Sequence, residues 1–171
     1  MNTAQQSIQQ GNTPSSTSNL GGLPIPGRNV LNAQQFSVLV SGNFAFGSGE
    51  ASTTCTIGLY YSNAAASASP NWQTLGTVAS TSAQETGPDG TYYPFFIKAD
   101  LEGDTLSGIL QGTFNGVING TVKNSSNTAI TEITGVSFAT EPMGVLAVGV
   151  TFGASNSGNT ANLYQFQIAL S

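Results

Sequence analysis

Few side chains in this sequence can move a proton, attack a bond or hold a metal. Histidine is absent from all 171 residues, so the usual general base near neutral pH is missing. The lone cysteine, Cys55, alternates with Ile57 and Leu59 and reads as a small buried hydrophobe rather than a nucleophile. No serine sits in a G-x-S-x-G elbow, and zinc, which needs histidines or several cysteines, is excluded. A carboxylate pair for glycoside hydrolysis would have to come from Asp100, Glu102, Asp104, Glu132 or Glu141, and their spacing selects no pair. The run Asp100-Leu-Glu-Gly-Asp104 offers oxygen ligands at alternate residues but lacks the ligand set of a calcium loop, so it reads as a solvated hairpin tip. The expectation is a protein without catalytic residues, cofactor or metal. What remains is recognition: Tyr60, Trp72 and Tyr92, with Asn71, could build an aromatic platform on which a sugar stacks. The competing reading of those rings is partial core or subunit interface.

Composition narrows the partners. Charged residues make up 6% of the chain, against roughly 25% in ordinary soluble proteins, and Ser, Thr, Asn, Gln and Gly fill the polar positions. A surface of neutral hydrogen-bonding groups has few charges to desolvate, which suits a protein that ends in a packed assembly. Three cations, Arg28, Lys98 and Lys123, cannot neutralise a phosphate backbone or hold an anionic membrane, so neither nucleic acid nor membrane is an expected partner. The densest apolar run, Val145 to Phe152, is strand-sized and too short to span a bilayer. The opening MNTAQQSIQQGNTPSSTSN has neither a basic region nor an apolar core; no secretory signal is expected, and synthesis in the cytoplasm is.

The elements that would position any site are strands. Leu106 to Val122, LSGILQGTFNGVINGTV, alternates with a period of two, and its inward face alternates again: Leu106, Leu110, Phe114, Ile118 and Val122 are large, with Gly108, Gly112, Gly116 and Gly120 between them. Glycines in a strand imply close cover by another backbone or a ring. Two-residue hairpins at Asn115-Gly116 and Asn119-Gly120 are set aside because they would turn polar residues inward, which leaves one long strand bent at its glycines.

Around it lie further alternating stretches. Phe36 to Phe46 and Cys55 to Tyr61 come first; Trp72 to Val78 follows near an edge. In Thr91 to Leu101, Pro94 restricts the strand to an edge or a bulge. Ile130 to Phe138 is next, then Gly144 to Ala154, central and covered on both sides. The last strand carries Tyr164, Phe166, Ile168 and Leu170 on one face. About eight strands with no convincing helix make an all-β, antiparallel two-sheet β-sandwich, a jelly roll, over residues 35–171. Residues 1–34, rich in Gln, Ser, Asn and Pro, form an extended or disordered N-terminal arm. Its apolar segment Leu20, Leu23, Pro24, Ile25 and Pro26 is the candidate partner contact.

The Gln/Ser/Pro arm, the opening NAQQFSVLVSG, the LQGTFNGVING strand, GVLAVGVTF and the closing NTANLYQF together resemble small jelly-roll virion proteins. Among these the chain is most similar to the head decoration, or cement, proteins of tailed bacteriophages. That resemblance implies a non-enzymatic homotrimer, assembled in the host cytoplasm, that binds the major capsid protein from outside and stabilises the virion. Two alternatives stay open, a carbohydrate-binding or adhesive module of a virion fibre and a jelly-roll capsid subunit. The latter is disfavoured by an arm whose only basic residue is Arg28.

Overall fold

The structure, a computed structural model, describes residues 3–6, 18–25, 34–49, 53–62, 72–104, 107–122, 128–130, 132–134, 136, 144–154 and 156–170. Eleven strands run through them: β1 (Thr3–Gln6), β2 (Ser18–Ile25), β3 (Gln34–Ala45), β4 (Thr54–Ser62), β5 (Gln73–Thr81), β6 (Tyr93–Asp104), β7 (Ile109–Ile118), β8 (Thr121–Val122), β9 (Thr128–Ala129), β10 (Gly144–Phe152) and β11 (Thr160–Leu170). No helix occurs among the described residues. One sheet has seven strands in the order β1-β11-β3-β6-β7-β8, with β9 also paired to β7; the other has four, β2-β10-β4-β5.

All pairings are antiparallel, and eight strands nest as a folded ribbon: β4 lies against β5, β3 against β6, β2 against β10 and β1 against β11. Successive pairs fall in alternate sheets, which is the winding of a jelly roll. Strands β7 to β9 extend the larger sheet beyond that ribbon.

Alternation decides what fills the space between the sheets. Phe36, Val38, Val40 and Phe44 of β3, Phe95, Ile97, Ala99 and Leu101 of β6, and Ile57, Leu59 and Tyr61 of β4 are all buried there. Leu110, Phe114 and Ile118 hold the inward register expected for β7. Cys55 is buried and free, and burial pushes its thiol pKa up, as a core cysteine requires. At one end Phe46 packs edge-on against Phe44 (centroids 5.4 Å apart) and Phe152 (6.0 Å).

Several sequence expectations change. Asn119-Gly120 is a two-residue turn after all, with φ of 49° and 73°, pairing Ile118 with Thr121 and Val117 with Val122. The objection to it concerned the returning strand, and β8 is only two residues long, so the inward face of β7 is untouched. Pro94 lies in β6, an interior strand between β3 and β7, at the strand's second residue, where a missing N–H is tolerated. Most of the carboxylate run is strand, since β6 continues to Asp104 and pairs Glu102 with Gln111; Asp104 alone reaches the hairpin end, where it pairs with Ile109 and accepts from Ser107 Oγ. Of the strand expected at Ile130 to Phe138, the described residues 130, 132–134 and 136 form no continuous strand, and Phe138 lies outside the described residues; backbone bonds recur at every third residue, where Ile130, Ile133 and Val136 donate to Gly112, Leu110 and Gly108 of the β7 segment.

Two described stretches of the N-terminal segment belong to the sheets. Thr3–Gln6 and Ser18–Ile25 are edge strands of the two sheets, paired to β11 and β10. Pairing to this chain's own sheets satisfies the backbone groups on one side of each strand, and the other side is a sheet edge.

Candidate functional site

The residues singled out in the sequence do not converge. In β2, Leu23, Pro24 and Ile25 pair with Leu146, Val145 and Gly144, while Leu20 falls at the bulge between Val148 and Gly149; Pro26 lies outside the described residues. Tyr60 sits near the end of β4 on the outward side of the four-stranded sheet, its ring lying over Gly58, where an added Cβ would come within 2.6 Å. Trp72 precedes β5 at that same end of the sheet, half-buried, and Asn71 is outside the described residues. β5 then carries the chain to the other end, where Ser82 N donates to the Thr53 carbonyl at 2.8 Å, and Tyr92 follows the loop beyond it. Tyr92 therefore opens β6 of the larger sheet, away from Tyr60 and Trp72, and the three rings form no common platform.

A different face gathers recognition groups. Inward burial of Phe95, Ile97, Ala99 and Leu101 turns Pro94, Phe96, Lys98, Asp100 and Glu102 outward along β6, the middle of the seven-stranded sheet. Tyr92, Phe96 and Tyr164 are the large apolar side chains left exposed among the described residues, at 54%, 42% and 48%. In register, Phe96 lies between Ser41 of β3 and Val117 of β7.

Tyr164 was expected to face inward with Phe166. The register of β11 against β3 instead shifts between Leu163 and Gln165, so Leu163 is buried and Tyr164 turns out. On the same face Asn162 Nδ2 donates to Asn43 Oδ1 at 3.0 Å, and Asn43 Nδ2 donates to the Tyr164 hydroxyl, giving an amide ladder one strand from β6. Phe96 was legible as an outward aromatic from the alternation of β6. Tyr164 was not, because only the bulge exposes it.

Further along β6 the face becomes a groove of mixed polar and apolar lining. A cavity of about 410 Å³ is lined by Gln35, Ser37, Asp100, Glu102 and Thr113 over the backbone of Phe36, Leu101 and Gly112. A second, about 380 Å³, shares Glu102, Gly112 and Thr113 with it and adds Gln111, Ala129, Ile130 and Glu132. Ser37 Oγ donates to Asp100 Oδ1 at 2.7 Å, and Lys98 Nζ lies 2.8 Å from Asp100 Oδ2. The bonded Lys98 ammonium and then the Ser37 hydroxyl hold the Asp100 carboxyl below the usual carboxylate range, so it is an ionised acceptor at neutral pH and no proton donor. Among the described residues no three Asp, Glu or Cys side chains are grouped to hold a metal ion. The arrangement can stack apolar rings and offers amide and hydroxyl groups together with the ionised Asp100 as hydrogen-bond partners.

No family model and no curated protein sequence matches the chain. Solved structures align with it at low similarity. A Lotus tetragonolobus seed lectin is 11% identical with a TM-score of 0.43, over 99% of this chain and 93% of that one. A legume lectin-like domain from Entamoeba histolytica is 7% identical with a TM-score of 0.39, over 98% and 89%. Peanut lectin is 11% identical with a TM-score of 0.39, over 99% and 92%.

Proposed function

We propose that this chain is a non-catalytic structural protein of a virion, a decoration or cement protein that binds the outside of a bacteriophage capsid as a homotrimer and stabilises the major capsid protein lattice. The supporting observation is the outward face of the seven-stranded sheet around β6. Its upper part presents Asn43, Phe96, Asn162 and Tyr164, and the one cation on β6, Lys98, is already paired with Asp100. The centres of protein interfaces are likewise depleted in charge and enriched in Tyr and Phe. Burying the upper part of this face, above Lys98 and Asp100, leaves few ions to desolvate, and weak contacts repeated over a lattice gain affinity through avidity.

The test is cosedimentation of the purified chain with capsids stripped of it, with light scattering to give its mass in solution. A trimer that sediments with capsids, and loses that behaviour when Phe96 and Tyr164 are replaced by Ala, supports the reading. A monomer that stays in the supernatant refutes it.

A second reading, a carbohydrate-binding or adhesive module of a virion fibre, is favoured by one observation: the exposed rings Phe96 and Tyr164 stand on the face that carries an amide ladder, as a surface that stacks and hydrogen-bonds sugars requires.

A further inference from the structure

We infer that the outward face of β6, from Phe96 to Glu102, is a binding cleft for an uncharged oligosaccharide. The inference rests on the carbohydrate-binding reading and assigns to a sugar the Phe96 face that the capsid reading would bury. Its physical basis is what this face offers and what it withholds.

Backbone recognition is withheld. β6 is hydrogen-bonded to β3 on one side and β7 on the other along its length, so no N–H or C=O row is left for an added peptide strand. Phosphates are disfavoured as well, because Lys98 is spent on Asp100 while the Glu102 and Glu132 carboxylates line the groove. A lipid chain would need a continuous apolar channel, and here the carboxylates of Asp100, Glu102 and Glu132 interrupt the apolar lining given by Leu101, Ala129 and Ile130.

Two things are offered. The first is a ring surface, Phe96, with Tyr164 across the Ser41 row, suited to the C–H face of a sugar. The second is a string of acceptors: Asp100 ionised, then Glu102, above two abutting cavities of about 410 and 380 Å³, each within the usual size of a small-molecule site. A ligand dense in O–H donors with apolar faces at intervals meets both. Phe96 and Glu102 are six residues apart on one strand, roughly 20 Å, so the cleft fits a short chain of sugars better than a monosaccharide. The carboxylates set the charge, because they repel sialic and uronic acids.

Titration with a panel of neutral gluco-, galacto- and manno-oligosaccharides, followed by calorimetry and by NMR shifts, tests this. We expect at least one to bind at millimolar or lower concentration, with Phe96→Ala weakening it about tenfold or more and Phe96→Trp retaining it. Asp100→Asn with Glu102→Gln should weaken the neutral ligand and admit its uronic-acid counterpart. Phe96 is exposed, so circular dichroism should show these variants folded. No binding by any panel member at millimolar concentration overturns both the cleft and the carbohydrate reading. Binding that survives Phe96→Ala but is lost in Trp72→Ala overturns the cleft and leaves that reading standing with a site on the other sheet.

Discussion

Gly116 of β7 lies directly beneath Val78 of β5, so close that a Cβ on the glycine would come within 2.0 Å of Val78 Cγ1. The relation is repeated in reverse a few residues away, where Gly76 of β5 accepts the ring of Phe114 of β7, 2.5 Å from an added Cβ. Large side chains of each sheet thus seat on glycines of the other. Val78 is buried and β-branched, so it has no flexible end to swing aside.

Gly116→Ala should therefore destabilise the fold by about 1–3 kcal/mol, read as a lower urea midpoint at unchanged slope. Adding Val78→Ala should recover part of that loss, because the smaller residue vacates the space the new methyl needs. Equal, additive losses in the double mutant would mean the two residues do not share that space.

The alternation of large residues and glycine in β7 made this packing legible, since a buried strand that lacks every second inward side chain must either receive a neighbour's or enclose a void. The two-sheet class was legible from the same period of two. The site was less so. Whether Tyr164 points in or out depends on a bulge between Leu163 and Gln165, and nothing local in TANLYQFQ distinguishes a bulged from a regular strand. Asp100 and Glu102 looked like a turn because charge and glycine cluster there; tertiary pairing with β7 carries the strand through them. The N-terminal segment is too polar to declare its strands by pattern, and β1 and β2 are set by backbone pairing to sheet edges.

A buried carboxylate pins the loop that precedes β6. Glu85 is 5% exposed; Ser80 Oγ donates to its Oε1 at 2.6 Å and Asn119 Nδ2 donates to its Oε2 at 3.0 Å, while its carbonyl accepts from the Tyr93 hydroxyl. Glu85→Ala should cost about 1–3 kcal/mol, because both donors lose this acceptor. Asn119 has φ of 49°, so Asn119→Val combines the lost bond with a backbone that a β-branched residue resists and should cost more than Asn119→Gly. Thermal melts of the three variants check the order; Asn119→Gly as harmful as Asn119→Val would show that backbone conformation plays no part.

Stability should fall in alkali in a definite window. Burial pushes the Tyr61 phenol pKa up from 10.0 to about 12, so the folded state keeps its proton where the unfolded chain releases it. The stabilising contribution is complete below pH 10 and is lost as pH rises toward 12. The buried Cys55 thiol is shifted in the same direction and adds to the slope. Tyr61→Phe should flatten the alkaline limb of a denaturation profile above pH 10, and an unchanged limb would assign it to other groups.

Removal of residues 1–28 tests what the N-terminal segment does. If it were only a tether, the remaining jelly roll would keep its full stability. β2 pairs with β10 from Ser18 to Ile25, and β1 pairs with β11 from Thr3 to Gln6, so truncation strips one edge from each sheet and leaves one side of β10, and of Phe166 to Ala169 in β11, unpaired. Each bond lost is worth about 0.5–1.5 kcal/mol net, partly offset by the chain entropy regained. The truncated protein should melt lower and aggregate with rising concentration, since an uncovered β10 is long, apolar and rich in Val. Restoring residues 18–25 as a free peptide should raise its melting temperature, because the peptide can re-form the β2 edge. A truncated chain as stable and as soluble as the full one would mean that these strands contribute little to the sandwich and that the segment is available to a partner.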